Sequence, residues 1–344
     1  MCDASQLRSL RLLRAKAAPA ATLVRTMGGD ALNVELGGLA LGAPVVLAAG
    51  ASGYVDELAE VVDLSMVGAV VAKSLTREPR QGNPTWRIVE TRCGMLNAIG
   101  LANVGVERFC EEHAPRIARC PCKVIGSVAG HSLEEYASVA KQLAVVEGLA
   151  GIEVNVSCPN VAGGRQFGDT AEGVRAATSA VVEQAGGRAV FVKLPPVTTG
   201  APGASIVDLA GAALEAGAAG LTIANTIPGM AIDVEARRPR LSTWTGGYSG
   251  PGIHPVTLAL VWRVHRELGG ETAIMAAGGA LTWQDAAAYL LAGARAVQLG
   301  AALFVDPKAP ERIVTGLRRW VKRQGVSSVA ELVGALEPPE IEPA

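Results

Sequence analysis

KVIGSVAGHSLEEYASVAKQLAVVEGLAGIEVNVSC (123–158) decides the fold. A short apolar run, KVIGSVAG (123–130), breaks at glycine and passes into SLEEYASVAKQLAVVEG (132–148), which reads as a helix. A second apolar run, GIEVNVSC (151–158), follows. Strand, helix and strand in this order form a parallel unit. The pattern recurs outward in both directions. VVLAAG (45–50) and AVVAKSL (69–75) precede it; AVFVKLP (189–195), GLTIANT (220–226), AIMAAGG (273–279) and AVQLGAAL (296–303) follow, with helical stretches such as ASIVDLAGAALEAG (204–217) between most of them. Eight strands alternating with helices predict an α/β fold, a single (β/α)8 TIM barrel. An open, doubly wound sheet would need a GxGxxG turn after the first strand, and AAGASG (48–53) lacks that spacing.

The barrel is expected to span residues 33–335, with an N-terminal extension at 1–32 and a short tail at 336–344. A chain of 344 residues suits one such barrel. A net charge of −1 offers nothing to nucleic acid, and no apolar run approaches the roughly 20 residues that cross a bilayer. In the extension, SQLRSLRLLRAK (5–16) reads as a short basic amphipathic helix. With no lipidation signal beside it, a packed extension or ill-ordered tail is expected rather than a membrane anchor. The six cysteines are irregularly spaced, which fits a reduced, cytoplasmic setting. RCPCK (119–123) could be half of a metal site, but no second pair lies at ligand spacing, so no metal is expected.

Strands of such a barrel are covered by helices outside and packed side chains inside, and should be dry. Four break the rule near their C-terminal ends, with Lys73, Asn155, Lys193 and Asn225. Alternation along the fourth strand puts Glu153, Asn155 and Ser157 inward and Val154 and Val156 toward the helices. A buried ammonium needs an anion. The plain reading is a neighbouring carboxylate such as Glu153. Two lysines and two asparagines at the rim where these barrels bind ligands argue instead for a bound anion. AAGGA (276–280) and LGAA (299–302) end the last two strands, where backbone N–H groups often hold a phosphate. TGGYSGPG (245–252) is a further glycine-rich loop.

Taken together, AKSLTREPRQGNP (72–84), GMLNAIGLAN (94–103), VNVSCPN (154–160), VKLPP (192–196), IANT (223–226), TGGYSGPGIHP (245–255) and the AAGG/LGAA pair resemble the class 1 dihydroorotate dehydrogenases over roughly residues 33–335. GMLNAIGL and TGGYSGPGIHP are most similar to the class 1B catalytic subunit. VKLPP is closer to class 1A. The resemblance implies an FMN-containing barrel that oxidises (S)-dihydroorotate to orotate in pyrimidine synthesis. It implies that Cys158 is the base removing the C5 proton while the C6 hydride passes to flavin N5. A thiol there needs cations or dipoles that favour the thiolate. Substrate contacts are implied for Lys73, Asn97, Asn155, Asn160, Asn225 and Thr226, with backbone around Ile99, Gly100 and Leu101 holding the carboxylate. Flavin contacts are implied for Ala49, Gly50, Lys73, Asn155 and Lys193, and phosphate contacts for Gly250, Gly278, Gly279, Gly300 and Ala301. VAGGRQFGDT (161–170) would be a lid. Asn103 reads equally as a ligand contact or a loop-stabilising amide, and the four histidines are assigned no chemistry.

The resemblance further implies a homodimer, with the option of a second subunit carrying FAD and a [2Fe–2S] cluster. This chain has neither a four-cysteine cluster nor a dinucleotide fingerprint to serve that relay itself. Departures from the pattern touch the acceptor side: PPVTTG (195–200) lacks an amide usual in class 1B, Val104 replaces a common proline, and Cys93 replaces a small residue. A dihydropyrimidine dehydrogenase-like enzyme acting on uracil or thymine is the nearest alternative, though such enzymes lack GMLNAIGL. A flavin-binding subunit without turnover is the other.

Overall fold

The computed structural model describes residues 30–157, 167–196 and 204–339. Eight parallel strands close into a barrel: β1 (Val45–Leu47), β2 (Ala69–Val71), β3 (Lys123–Val128), β4 (Leu149–Asn155), β5 (Ala189–Leu194), β6 (Gly220–Ile223), β7 (Ile274–Ala277) and β8 (Ala296–Leu299). Each pairs with the next in sequence, and β8 closes on β1 with Gln298 opposite Val46. The barrel expected from the alternating runs is the observed fold.

Helices clothe the barrel with apolar stripes, and four of the described ones, those starting at Leu133, Ala171, Ile206 and Trp283, also begin at a side-chain cap that their sequences supply. In α1 (Leu133–Ala144) the Ser132 hydroxyl accepts from the Glu135 N–H, and Tyr136, Val139, Ala140 and Leu143 make the buried face. Their spacing is the i, i+3, i+4, i+7 of one helical face. Capping boxes start α3 (Ile206–Glu215), at Ser205 and Asp208, and α5 (Trp283–Leu291), at Thr282 and Asp285; α2 is Ala171–Val182 and α4 is His254–Leu268. Each box satisfies N–H groups that the first turn leaves without intrahelical acceptors.

The ends of the barrel are closed differently. At the N-terminal end an antiparallel hairpin, Val34–Leu36 with Leu39–Leu41, turns on Gly37 at φ +53°. A Cβ on Gly37 would stand 2.5 Å from the Ala219 carbonyl oxygen and 3.2 Å from the ring of fully buried Phe191, so only glycine lets the hairpin press this closely on the barrel. At the C-terminal end stands a four-stranded antiparallel sheet, in the order 227–229, 246–249, 94–97 and 88–91. Its strands come from the β2–β3 and β6–β7 connections, and Val89, Leu96 and Leu241 form its own small core.

Candidate active site

The site is a cavity of about 610 Å³ between the C-terminal ends of the strands and the antiparallel sheet. That size suits a cofactor or drug-sized ligand. Its floor is a polar layer inside the barrel. Glu153 on β4 is fully buried, and its Oε2 accepts from Thr222 Oγ1 on β6 at 2.8 Å and from Gln298 Nε2 on β8 at 2.6 Å. Its other oxygen, Oε1, is buried without a hydrogen bond and lies 4.0 Å from Lys193 Nζ on β5. Lys193 is 8% exposed and lines the cavity. The carboxylate partner of the plain sequence reading is therefore present for Lys193, at ion-pair distance but beyond hydrogen-bonding reach.

Lys73 behaves differently. It follows β2, lines the same cavity, and has no carboxylate partner among the described residues. Burial pulls its pKa down from the ordinary lysine range, and the Arg87 guanidinium acts in the same direction. An ammonium so placed gains from any anion entering the cavity.

The amides converge between the lysines. Asn155 Oδ1 accepts from Asn225 Nδ2 at 3.2 Å and from the Ser157 N–H at 3.2 Å; Asn225 Oδ1 accepts from the Thr226 N–H at 2.8 Å. Asn97 comes from the antiparallel sheet and donates to the Gly247 carbonyl at 3.1 Å. The turn Ile99–Leu101 is clamped by the loop before it: the Asn83 N–H donates to the Ile99 carbonyl, and Gly100 is at φ +72°, where a Cβ would meet Asn83 at 2.7 Å. Leu101 holds φ +56°, uncommon for a side chain of its size.

On the opposite wall are the ends of β7 and β8. The backbone N–H groups of Gly278, Gly279, Gly300 and Ala301 make no hydrogen bond among the described residues. Four unsatisfied donors on one wall could hold a phosphate. The Gly278 carbonyl is fixed from behind, accepting from Tyr289 Oη at 2.5 Å, and the Thr257 and Tyr289 hydroxyls bond each other.

Ala49, Gly50, Lys73, Asn97, Ile99, Gly100, Leu101, Asn155, Lys193, Asn225, Thr226, Gly250, Gly278, Gly279, Gly300 and Ala301 all line this one cavity. Cys158, Asn160, the start of the segment expected to be a lid (161–170) and the stretch at 5–16 expected to be a basic helix lie outside the described residues. Asn103, read two ways from sequence, is a loop amide with every bond directed into its own loop: Nδ2 donates to Thr76 Oγ1 and the Leu101 carbonyl, and Oδ1 accepts from the Thr76 and Gly105 N–H groups. In RCPCK the Cys120 and Cys122 sulfurs are 3.7 Å apart, and the Cys122 thiol lowers the pKa of Cys120 to about 7. No cluster of three or more His, Cys, Asp or Glu side chains suited to a metal occurs among the described residues. Thr222 and Gln298 escaped the sequence reading. The dry-strand rule that exposed the lysines would have found both, since each interrupts an apolar run.

A sequence model of the family described as Dihydroorotate dehydrogenase matches residues 31–321. A protein of Trichlorobacter lovleyi named dihydroorotate dehydrogenase B (NAD(+)), catalytic subunit, is 44% identical over 308 residues, covering 89% of this chain and 99% of its own. Proteins of the same name from Pelobacter propionicus and Geobacter sulfurreducens are 45% and 43% identical over 307 residues, each covering 89% of this chain and 98% of their own. With this much of the sequence matched, and a barrel whose rim carries the family's motifs into one cavity, the chain belongs to the dihydroorotate dehydrogenase family, a family of flavin-dependent oxidoreductases, and within it to class 1B.

Proposed function

We propose that the chain is the catalytic subunit of a class 1B dihydroorotate dehydrogenase, oxidising (S)-dihydroorotate to orotate in pyrimidine biosynthesis with FMN as resident cofactor. The observation that carries this reading is the single cavity joining two cationic strand ends, a cluster of four asparagine and threonine side chains, and four unsatisfied backbone donors. The donors at Gly278, Gly279, Gly300 and Ala301 suit a terminal phosphate. The floor at Lys193 suits the electron-rich edge of an isoalloxazine. Thus the residues present fit the flavin.

When bound, the flavin supplies the acceptor for the substrate hydride. The chain's own residues do the rest. Lys73 and the Ile99–Leu101 turn neutralise and seat the substrate carboxylate. Asn97, Asn155, Asn225 and Thr226 orient the pyrimidine ring by hydrogen bonds, so that little orientational freedom remains to be lost in the transition state. Cys158, at the end of the β4 segment, takes the C5 proton, helped by the positive charge of the lysines. Electrons then leave through a separate subunit carrying FAD and a [2Fe–2S] cluster, in line with the NAD(+) in the relatives' name. We place the enzyme in the cytoplasm as a homodimer; no described helix is long and apolar enough to cross a membrane.

The test is anaerobic reduction. The purified chain should carry a flavin absorbance band that dihydroorotate bleaches promptly. Bleaching by dihydrouracil alone would transfer the chain to the pyrimidine-reducing enzymes, and the absence of any flavin would leave a binding role. Cys158→Ala should keep FMN and lose about 10²–10⁴-fold in the rate of reduction at neutral pH, the usual worth of a positioned base.

A further inference from the structure

Directly below the cavity lies a charge that the proposed chemistry leaves unused. Glu153 is 0% exposed in the middle of the barrel. An uncompensated carboxylate there would be strongly unfavourable. Two neutral donors, Thr222 Oγ1 and Gln298 Nε2, satisfy Oε2, while Oε1 has no hydrogen bond and faces Lys193 Nζ at 4.0 Å. Lys193 makes no hydrogen bond to any described residue. Its only described counter-charge is Glu153, and it lines the cavity. The strands fix this arrangement. Lys193 is in register with Asn155 on one side and Thr222 on the other, and Glu153 is two residues before Asn155 on the same inward face.

We propose that Glu153 is the positioning residue of Lys193: its carboxylate holds the ammonium at the cavity floor and offsets part of its charge, and so sets how strongly the site favours the electron-rich, reduced flavin. The inference rests on the flavin reading above and adds a residue to it. A lysine alone under the flavin would pull the reduction potential upward. A carboxylate one ion-pair distance below it opposes that pull, and at such separations inside a protein the opposition is not screened as it would be in water. Thr222 and Gln298 hold Oε2, with Oε1 on the side of Lys193. Their hydrogen bonds are the reason the second oxygen is left for the ammonium.

The test is the midpoint potential of FMN bound to Glu153→Gln, with sulfite as a second probe. Sulfite adds reversibly to the flavin ring and binds more tightly where positive charge supports the resulting anion. The amide keeps the shape and can still accept from Thr222 and Gln298. The expected result is a folded, flavin-bound variant whose oxidised-to-reduced equilibrium moves about tenfold toward the reduced form. For a two-electron couple that is about 30 mV upward. Sulfite should bind correspondingly tighter. A flavin-bound variant with unchanged potential and sulfite affinity, whatever its melting temperature, overturns the proposal and assigns Glu153 to structure alone. If Glu153→Gln does not fold, the double variant with Lys193→Met decides. Loss of both charges must restore folding if the two are paired, and failure to restore it overturns the pairing. Wild-type protein that binds no FMN would instead sink the functional reading on which this inference stands.

Discussion

Asn103→Ala should loosen the Ile99–Leu101 turn, proposed above to seat the substrate carboxylate, without touching the ligand. Asn103 is 7% exposed and its side chain makes four hydrogen bonds, at 2.8, 2.8, 2.8 and 3.2 Å, all to its own loop. Truncation strands two backbone N–H groups, on Thr76 and Gly105, and one carbonyl, on Leu101; Thr76 and Gly105 are buried. At about 1 kcal/mol for each backbone partner lost, and no compensating apolar contact, the expected destabilisation is about 3 kcal/mol. For a chain of 344 residues that corresponds to a fall in Tm of about 4 °C. Leu101 leaves its φ of +56° once its carbonyl is free, so orotate affinity should drop about tenfold while FMN stays bound. Thermal melts and orotate titration of the same preparation check both. A variant that melts like wild type yet loses orotate would refute the reasoning and make Asn103 a direct ligand contact.

The pH dependence of ligand binding follows from Lys73. Its pKa is depressed by burial first and by Arg87 second, so the ammonium loses its proton at a pH below the ordinary lysine range near 10.4. Orotate affinity should therefore fall about tenfold per unit as pH rises past that depressed value, and Lys73→Met should abolish the dependence. Stability of the ligand-free protein moves the other way between the folded and unfolded pKa values, rising with pH, because there only the unfolded chain still binds the proton. A flat orotate profile up to pH 10 would remove Lys73 from the carboxylate site. Gly316→Ala tests packing far from the site: in α7 (Ala309–Gln324; α6 is Ala302–Val305) a Cβ there would stand 2.3 Å from Trp283 Cγ. Despite alanine's better helix propensity, this variant should lose about 1–3 kcal/mol in a denaturant titration.

Much of the site was legible because a barrel strand has one rule, dryness, and each exception is conspicuous. Lys73, Asn155, Lys193 and Asn225 break it at strand ends and all line the cavity. Gln298 and Thr222 break it too, but a single amide or hydroxyl within an apolar run draws less notice than a charge. The helices were legible from their 3.6-residue stripes. The antiparallel sheet was not. GMLN (94–97) and GGYS (246–249) carry no alternation and little β propensity, and each is a strand because it is paired on both sides, on one of them by the other, some 150 residues away in the chain. The N-terminal hairpin, with three residues in each strand, is similarly a product of tertiary contact with the barrel. Nor could the sequence tell that Lys193 has a carboxylate below it while Lys73 has none, since that depends on how adjacent strands are registered.

The pairing of 94–97 with 246–249 ties together the two halves of the ligand bed. One ribbon runs into the Ile99–Leu101 turn, proposed above to seat the substrate carboxylate, and the other runs into Gly250 beside the proposed phosphate wall, with Asn97 opposite Gly247 and a Cβ on Gly94 only 3.2 Å from Gly250 Cα. A tilt of this small lever moves both grips at once. On the proposed reading, adaptation to a bulkier acid by reshaping these strands would disturb the grip on the flavin as well, so new specificities are more accessible through the barrel's inward side chains than through the ribbon above them.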